Sequence, residues 1–150
     1  PSGCGSTDKK EDESAKSEKD KKLELKNIND ENEAAIQKLA EGYVDDIILG
    51  MKDNDYKRFS QNLVDELKQD ITKENFKIMV RRFKDEKGNF VNKQFLTSLE
   101  KGLFREYLWK AKFQKPDEKK AVNAPKEDTL VILILGKVDD KYKVFAFSFK

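Results

Sequence analysis

The sequence predicts an α+β domain: three N-terminal helices packed on one face of a curved antiparallel sheet of about four strands, preceded by a disordered tail. Three observations predict it. Apolar residues recur every three or four positions through the first half of 31–150, they alternate or run on continuously through the second half, and they are scarce before residue 31. The first thirty of the 150 residues hold five hydrophobic side chains, no aromatic, seven Lys and eight acidic residues. That is too little apolar surface to offset the entropy of ordering. Residues 1–30 read as a charged tether and 31–150 as a single domain with enough apolar residues for one core.

From Glu33 onward, Ile36, Leu39, Tyr43, Ile47 and Met51 line one face of a first helix that ends between Gly50 and Asp53. Asn54 or Asp55 can cap a second, in which Tyr56, Phe59, Leu63 and Leu67 keep the same spacing while Lys57, Gln61, Asp65 and Lys68 take the solvated side. Thr72 caps a third, which carries Phe76, Met79, Val80 and Phe83 and stops before Gly88 and Asn89. Between Phe90 and Glu100 only Phe95, Thr97 and Leu99 alternate, enough for a short strand. From Arg105 to Pro116, Tyr107, Trp109, Ala111 and Phe113 face one way and Glu106, Lys110 and Lys112 the other. Lys115 to Asp128 contains two prolines and reads as a loop. Leu130 to Leu135 is apolar on both faces, as expected of a central strand, and Asp139-Asp140 turns the chain into a closing strand from Tyr142 to Phe149.

Composition removes several classes of function. Lys and Arg number 31 against 29 Asp and Glu, a net charge of +2, which argues against a dedicated nucleic-acid partner. With no His and one Cys, the commonest zinc sites, Ser-His and Cys-His nucleophile pairs and intrachain disulfides are excluded, and neither a metal nor a cofactor is expected. Asp53-Asn54-Asp55 opens like a calcium loop, but Lys57, Arg58 and Val64 occupy positions that need a ligand, a glycine and a bidentate Glu. Asp46 and Glu106 are the carboxylates that can be argued toward the interior; neither has a spacing that demands chemistry, and no catalytic residue is assigned. Lys77, Arg81, Arg82 and Lys84 lie among Glu74, Asp85 and Glu86 and read as a solvated helix face.

Two groups of residues remain as candidates for binding. Tyr43, Phe59, Tyr107, Trp109 and Phe113 would line a pocket between helices and sheet, although a domain of this size must bury such side chains simply to fold. Val131, Leu133 and Leu135 oppose Ile132 and Ile134 along one strand while Phe145 and Phe147 lie along the next, more apolar surface than helices on one face can cover. Either strong sheet curvature buries them or a second protein does; in the second case Val131, Leu133, Leu135, Phe145 and Phe147 are the candidate interface, and a homodimer through the sheet is its simplest form.

The setting of the one cysteine, Ser2-Gly3-Cys4-Gly5-Ser6 ahead of a polar stretch, resembles the processed end of a bacterial lipoprotein. Ser2, Gly3 and Cys4 match; Pro1 stands where a Leu is usual. The resemblance implies lipid on Cys4, the membrane as a partner, and a place in the bacterial cell envelope with the domain on the extracytoplasmic side. Two or three acyl chains gaining about 0.8 kcal/mol per buried methylene would make attachment effectively permanent, and a flexible tether of about 25 residues reaches roughly 25 to 30 Å. Further along, the three helices, Gly88-Asn89-Phe90-Val91, the segment from Lys101 to Phe113 and the closing run from Asp140 to Phe147 resemble the cystatin-like or nuclear-transport-factor-2-like cone fold of bacterial envelope families of unassigned function. That resemblance implies a shape without a reaction. The expectation is a membrane-anchored lipoprotein whose domain is a non-enzymatic binding or assembly module, pairing with itself or with another envelope protein. Its alternative is a small enzyme or carrier acting on an apolar small molecule in the pocket.

Overall fold

Asn32, Asp55 and Thr72 each place a side-chain oxygen on a free backbone N–H at the start of a helix, Asp55 and Thr72 as the sequence predicts and Asn32 in addition. The computed structural model describes residues 24–116 and 126–150. Its helices are α1 (Glu33–Lys52), α2 (Tyr56–Ser60), α3 (Asp65–Asp70) and α4 (Lys73–Lys87). The second helix of the sequence reading is thus two short ones. Between them the chain leaves the helical path to bond a strand edge: the Val64 N–H donates to the Val144 carbonyl at 3.0 Å, and the Val144 N–H to the Asn62 carbonyl at 2.8 Å. Phe59 and Leu63 keep their buried positions across this break.

The strands are β1 (Leu25–Lys26), β2 (Asn89–Lys101), β3 (Phe104–Gln114), β4 (Lys126–Val138) and β5 (Lys141–Phe149). All pair antiparallel: β2 to β5 form a meander, and β1 joins the far end of β4, with Leu25 opposite Val138 and Lys26 opposite Lys137. The expectation of an α+β domain built on an antiparallel sheet holds, with one more helix and one more strand than anticipated. The short strand expected around Phe95 spans 13 residues. Register shifts after Phe90 and after Phe95 interrupt its alternation, which is why its sequence shows no lasting period. The loop expected to reach Asp128 gives way to β4 at Lys126.

The domain also begins earlier than residue 31. Ile28 lies in a short 3-10 helix (Ile28–Asp30) and is only 1% exposed. Its N–H donates to the Leu103 carbonyl at 3.1 Å, and the Asn29 amide donates to the carbonyls of Gly102 and Phe104, both at 3.0 Å. The expected tether of residues 1–30 is therefore shortened at its inner end. Its remainder, residues 1–23 with Cys4, lies outside the described residues.

The core sits between the helices and one face of the sheet. Phe59 packs on Phe76 at 4.6 Å and edge-on to Phe147 at 5.6 Å between ring centroids, while Phe83 bridges Phe113 and Phe149 at 5.2 and 4.8 Å. Gly50 allows α1 and α2 to meet, since a Cβ there would lie 2.7 Å from the Phe59 backbone nitrogen.

Candidate functional site

The aromatics that the sequence nominates for a pocket fill the interior instead. Phe59, Tyr107, Trp109 and Phe113 are at most 2% exposed and belong to one apolar cluster with α1 and α4. Trp109 satisfies its indole N–H on the Glu41 carboxylate at 2.6 Å. Lys93 reaches inward to the same carboxylate and to Asp45; burial opposes its charge, but hydrogen bonds to Glu41 and Asp45 outweigh that and hold its pKa above the ordinary lysine value. Tyr107 is pushed up to about 12 by burial, the Arg105 charge pulling the other way. Its hydroxyl, like that of Thr129, has no hydrogen-bond partner among the described residues. Tyr43, half-buried, donates to the Tyr142 carbonyl at 3.0 Å and serves as a fastener between α1 and β5.

A cleft does open at another place, between the last turn of α1, α4 and the β2–β3 end. Ile48, Val80, Phe83, Phe90, Phe113 and Phe149 help line it, and its cavity of about 20 Å³ has room for roughly one water molecule. Of the nominated residues only Phe113 touches it.

The two carboxylates that point toward the interior in sequence terms are structural. Asp46 accepts from Arg58 Nε at 3.1 Å, Gln61 Nε2 at 2.9 Å and Asn62 Nδ2 at 3.2 Å, tying α1 to α2 and to the turn that follows it. Glu106 lies on the opposite side of the sheet from the helices, with Lys101 Nζ 3.8 Å away.

That opposite side is where the structure leaves apolar surface. Strand alternation sends Val131, Leu133 and Leu135 to the helix side, where none is more than 1% exposed, and Phe147, partly buried, packs on Phe59, so three of the nominated interface residues are core and a fourth lies against it. Phe145 alone of the five faces away. It is the extra residue at the register shift opposite Ile134 and Leu135, and its ring lies against Phe104 at 4.8 Å over Gly136, whose Cβ, if present, would collide with both rings. The residues that accompany it are ones the sequence reading treated as facing inward or did not weigh: Phe104, Leu108, Leu130, Ile132 and Ile134. All are partly exposed, and none belongs to the core cluster that includes the helices. Lys110, Lys112 and Asp128 border one end of this surface; Lys101 and Lys143 border the other.

The polar seam at the N-terminal edge is dense but local. Glu31 accepts from Lys137 and from the Tyr142 hydroxyl, and these bonds, Lys137 first, hold its carboxyl below the ordinary range. Arg105 donates to Glu33 at 2.6 Å, Asn29 at 2.9 Å and Ser98 at 3.0 Å, locking the segment before α1 onto β2 and β3. Among the described residues no helix is long and apolar enough to cross a membrane, and no group of three acidic or thiol side chains is placed to hold a metal ion. Comparison with protein-family models, curated proteins and solved structures finds no match.

Proposed function

We propose that this protein is a non-catalytic binding or assembly module, carried on a membrane of the bacterial cell envelope by lipid attached to Cys4, and that it binds through the outer face of its sheet. The observation that carries the reading is the partly exposed apolar row Leu108, Ile132 and Ile134, with Phe104 and Phe145 beside it, on the face of the sheet opposite the core that the helices pack against. A contiguous apolar patch rimmed by polar residues is the kind of surface that marks a protein contact. The polar border of lysines and Asp128 around an apolar middle has the layout of a protein contact surface.

A carrier for an apolar small molecule needs a cavity of roughly 300 Å³ or more. The cleft beside α4 offers about 20 Å³, and the hollow of about 350 Å³ along Ile78, Arg81, Arg82, Asp85 and Glu86 is an open surface with four charged side chains among its five lining residues. The outer face has no such size limit, and it leaves the aromatics their role as core. The lipid anchor rests on Ser2-Gly3-Cys4 and on the charged stretch after it. Cys4→Ala in cells that express the precursor tests it directly: the protein should move from the membrane to the soluble fraction, and unchanged fractionation would remove the anchor from the account.

A further inference from the structure

Resting on the reading of the outer face as the binding surface, we propose that its occupant is a second copy of this chain, stacked sheet on sheet about a two-fold axis that crosses the strands at Leu108 and Ile132. The edges of the sheet direct association to the face. The free side of β5 is occupied by the Asn62–Val64 segment at Val144. The free side of β2 is broken by two register shifts and carries Lys93 pointing inward, devices that discourage strand addition. Among the described residues, the outer face keeps its apolar row partly exposed.

The charge pattern of that face is complementary to itself. On β3, Glu106 and Lys110 flank Leu108 two residues to either side and so lie on the same face. A two-fold axis through Leu108, lying in the contact plane across the strands, reverses strand direction in the second copy. Glu106 then meets the Lys110 of the second copy, and the same pair forms again on the other side of the axis. Leu108 and Ile132, directly opposite each other in the sheet, fall at the centre, and Leu130 meets the Ile134 of the second copy, apolar on apolar. With its axis along β3 itself, the dimer would set Glu106 beside a second Glu106, and with its axis between β3 and β4 it would set Glu106 against Ile134, so only the arrangement across the strands pairs the charges. The size fits too: four strands spaced about 4.8 Å apart over about nine residues give a footprint of roughly 600 Å². Side-chain relief brings that near the roughly 800 Å² each partner contributes to a standard stable interface.

Sedimentation velocity on the full chain bearing Cys4→Ala, from micromolar to millimolar concentration, tests this. A species of twice the 17.4 kDa chain mass should grow with concentration. Glu106→Lys and Lys110→Glu should each raise its dissociation constant about tenfold or more, and the double exchange should restore most of the loss. Ile132→Lys should leave a monomer with an unchanged circular dichroism spectrum. A wild-type chain that stays monomeric throughout, or a double exchange that fails to rescue, overturns the two-fold pairing. In that event the dye anilinonaphthalene sulfonate separates the two levels: dye bound by the wild type and lost in Ile132→Lys leaves the face open for a different partner. No dye bound by either overturns the reading of the face as well.

Discussion

Tyr107 is fully buried with a hydroxyl that finds no partner among the described residues, while Trp109, two residues on, has its indole N–H satisfied by Glu41. A buried, unsatisfied hydroxyl costs stability, so Tyr107→Phe should leave the unfolding free energy unchanged or raise it by about 1 kcal/mol. Urea denaturation measures this, and a loss beyond 1 kcal/mol would mean that the hydroxyl has a partner after all. Gly50 gives the opposite sign to helix propensity. In an exposed helix, Gly to Ala gains about 1 kcal/mol. Here the added methyl would sit 2.7 Å from the Phe59 backbone. Gly50→Ala should therefore destabilise by about 1 to 3 kcal/mol, because backbone must shift; a higher melting temperature would contradict the close approach of α1 and α2. At this scale the sequence announces which aromatics are large and alternating, and so that Tyr107, Trp109 and Phe113 share a face. It is silent on Glu41 meeting Trp109 or Asp46 meeting Asn62, since both contacts depend on how α1 lies across the sheet and on the turn after α2.

Among the elements, the segment before α1 holds more of the fold than its composition suggests. Ile28 is the single apolar anchor of a polar stretch, so a window average hides it, yet it is among the most buried side chains. Ile28→Ala should cost about 2 to 4 kcal/mol, measured by thermal or chemical denaturation; a cost below 1 kcal/mol would place this segment outside the cooperative unit. The same segment should loosen in acid. Glu31, bonded to Lys137 and Tyr142, and Asp140, bonded to Lys26, both have their carboxyls held below the ordinary range. A depressed folded-state pKa contributes stability that is full above the unfolded value and disappears as pH falls through the folded one. Stability should thus be flat above about pH 5 and decline below it, and Glu31→Gln should decline less steeply. A Glu31→Gln profile identical to the wild type would show that this carboxylate is not coupled to folding. Helix starts at Tyr56 and Lys73 were legible because Asp55 and Thr72 cap by a local mechanism, and the start at Glu33 from the apolar spacing. The division into α2 and α3 was not, because the competing hydrogen bonds come from Val144, some eighty residues away in sequence.

For the molecule as a whole, the antiparallel sheet with helices before it was legible from the order of periods along the chain, and a surplus of apolar strand surface was legible as well. Which residues make up that surplus was not. A continuous run such as Leu130 to Leu135 has no alternation to say which side faces the helices; register with β3 decides it, and it places Val131, Leu133 and Leu135 inside and Ile132 and Ile134 outside. The pocket expected between helices and sheet is likewise closed by the side chains proposed to line it. A small domain stabilises itself by burying its largest residues, and this one leaves its spare apolar surface on the far side of the sheet. The most direct measurement is photo-crosslinking in living cells with a photoreactive amino acid at position 132, compared with the same residue at position 57, where Lys57 is exposed on α2. An adduct of twice the mass of the uncrosslinked protein is expected from position 132 and none from position 57. No adduct from position 132, or equal adducts from both, would contradict the assignment of the outer sheet face as the surface through which this protein acts.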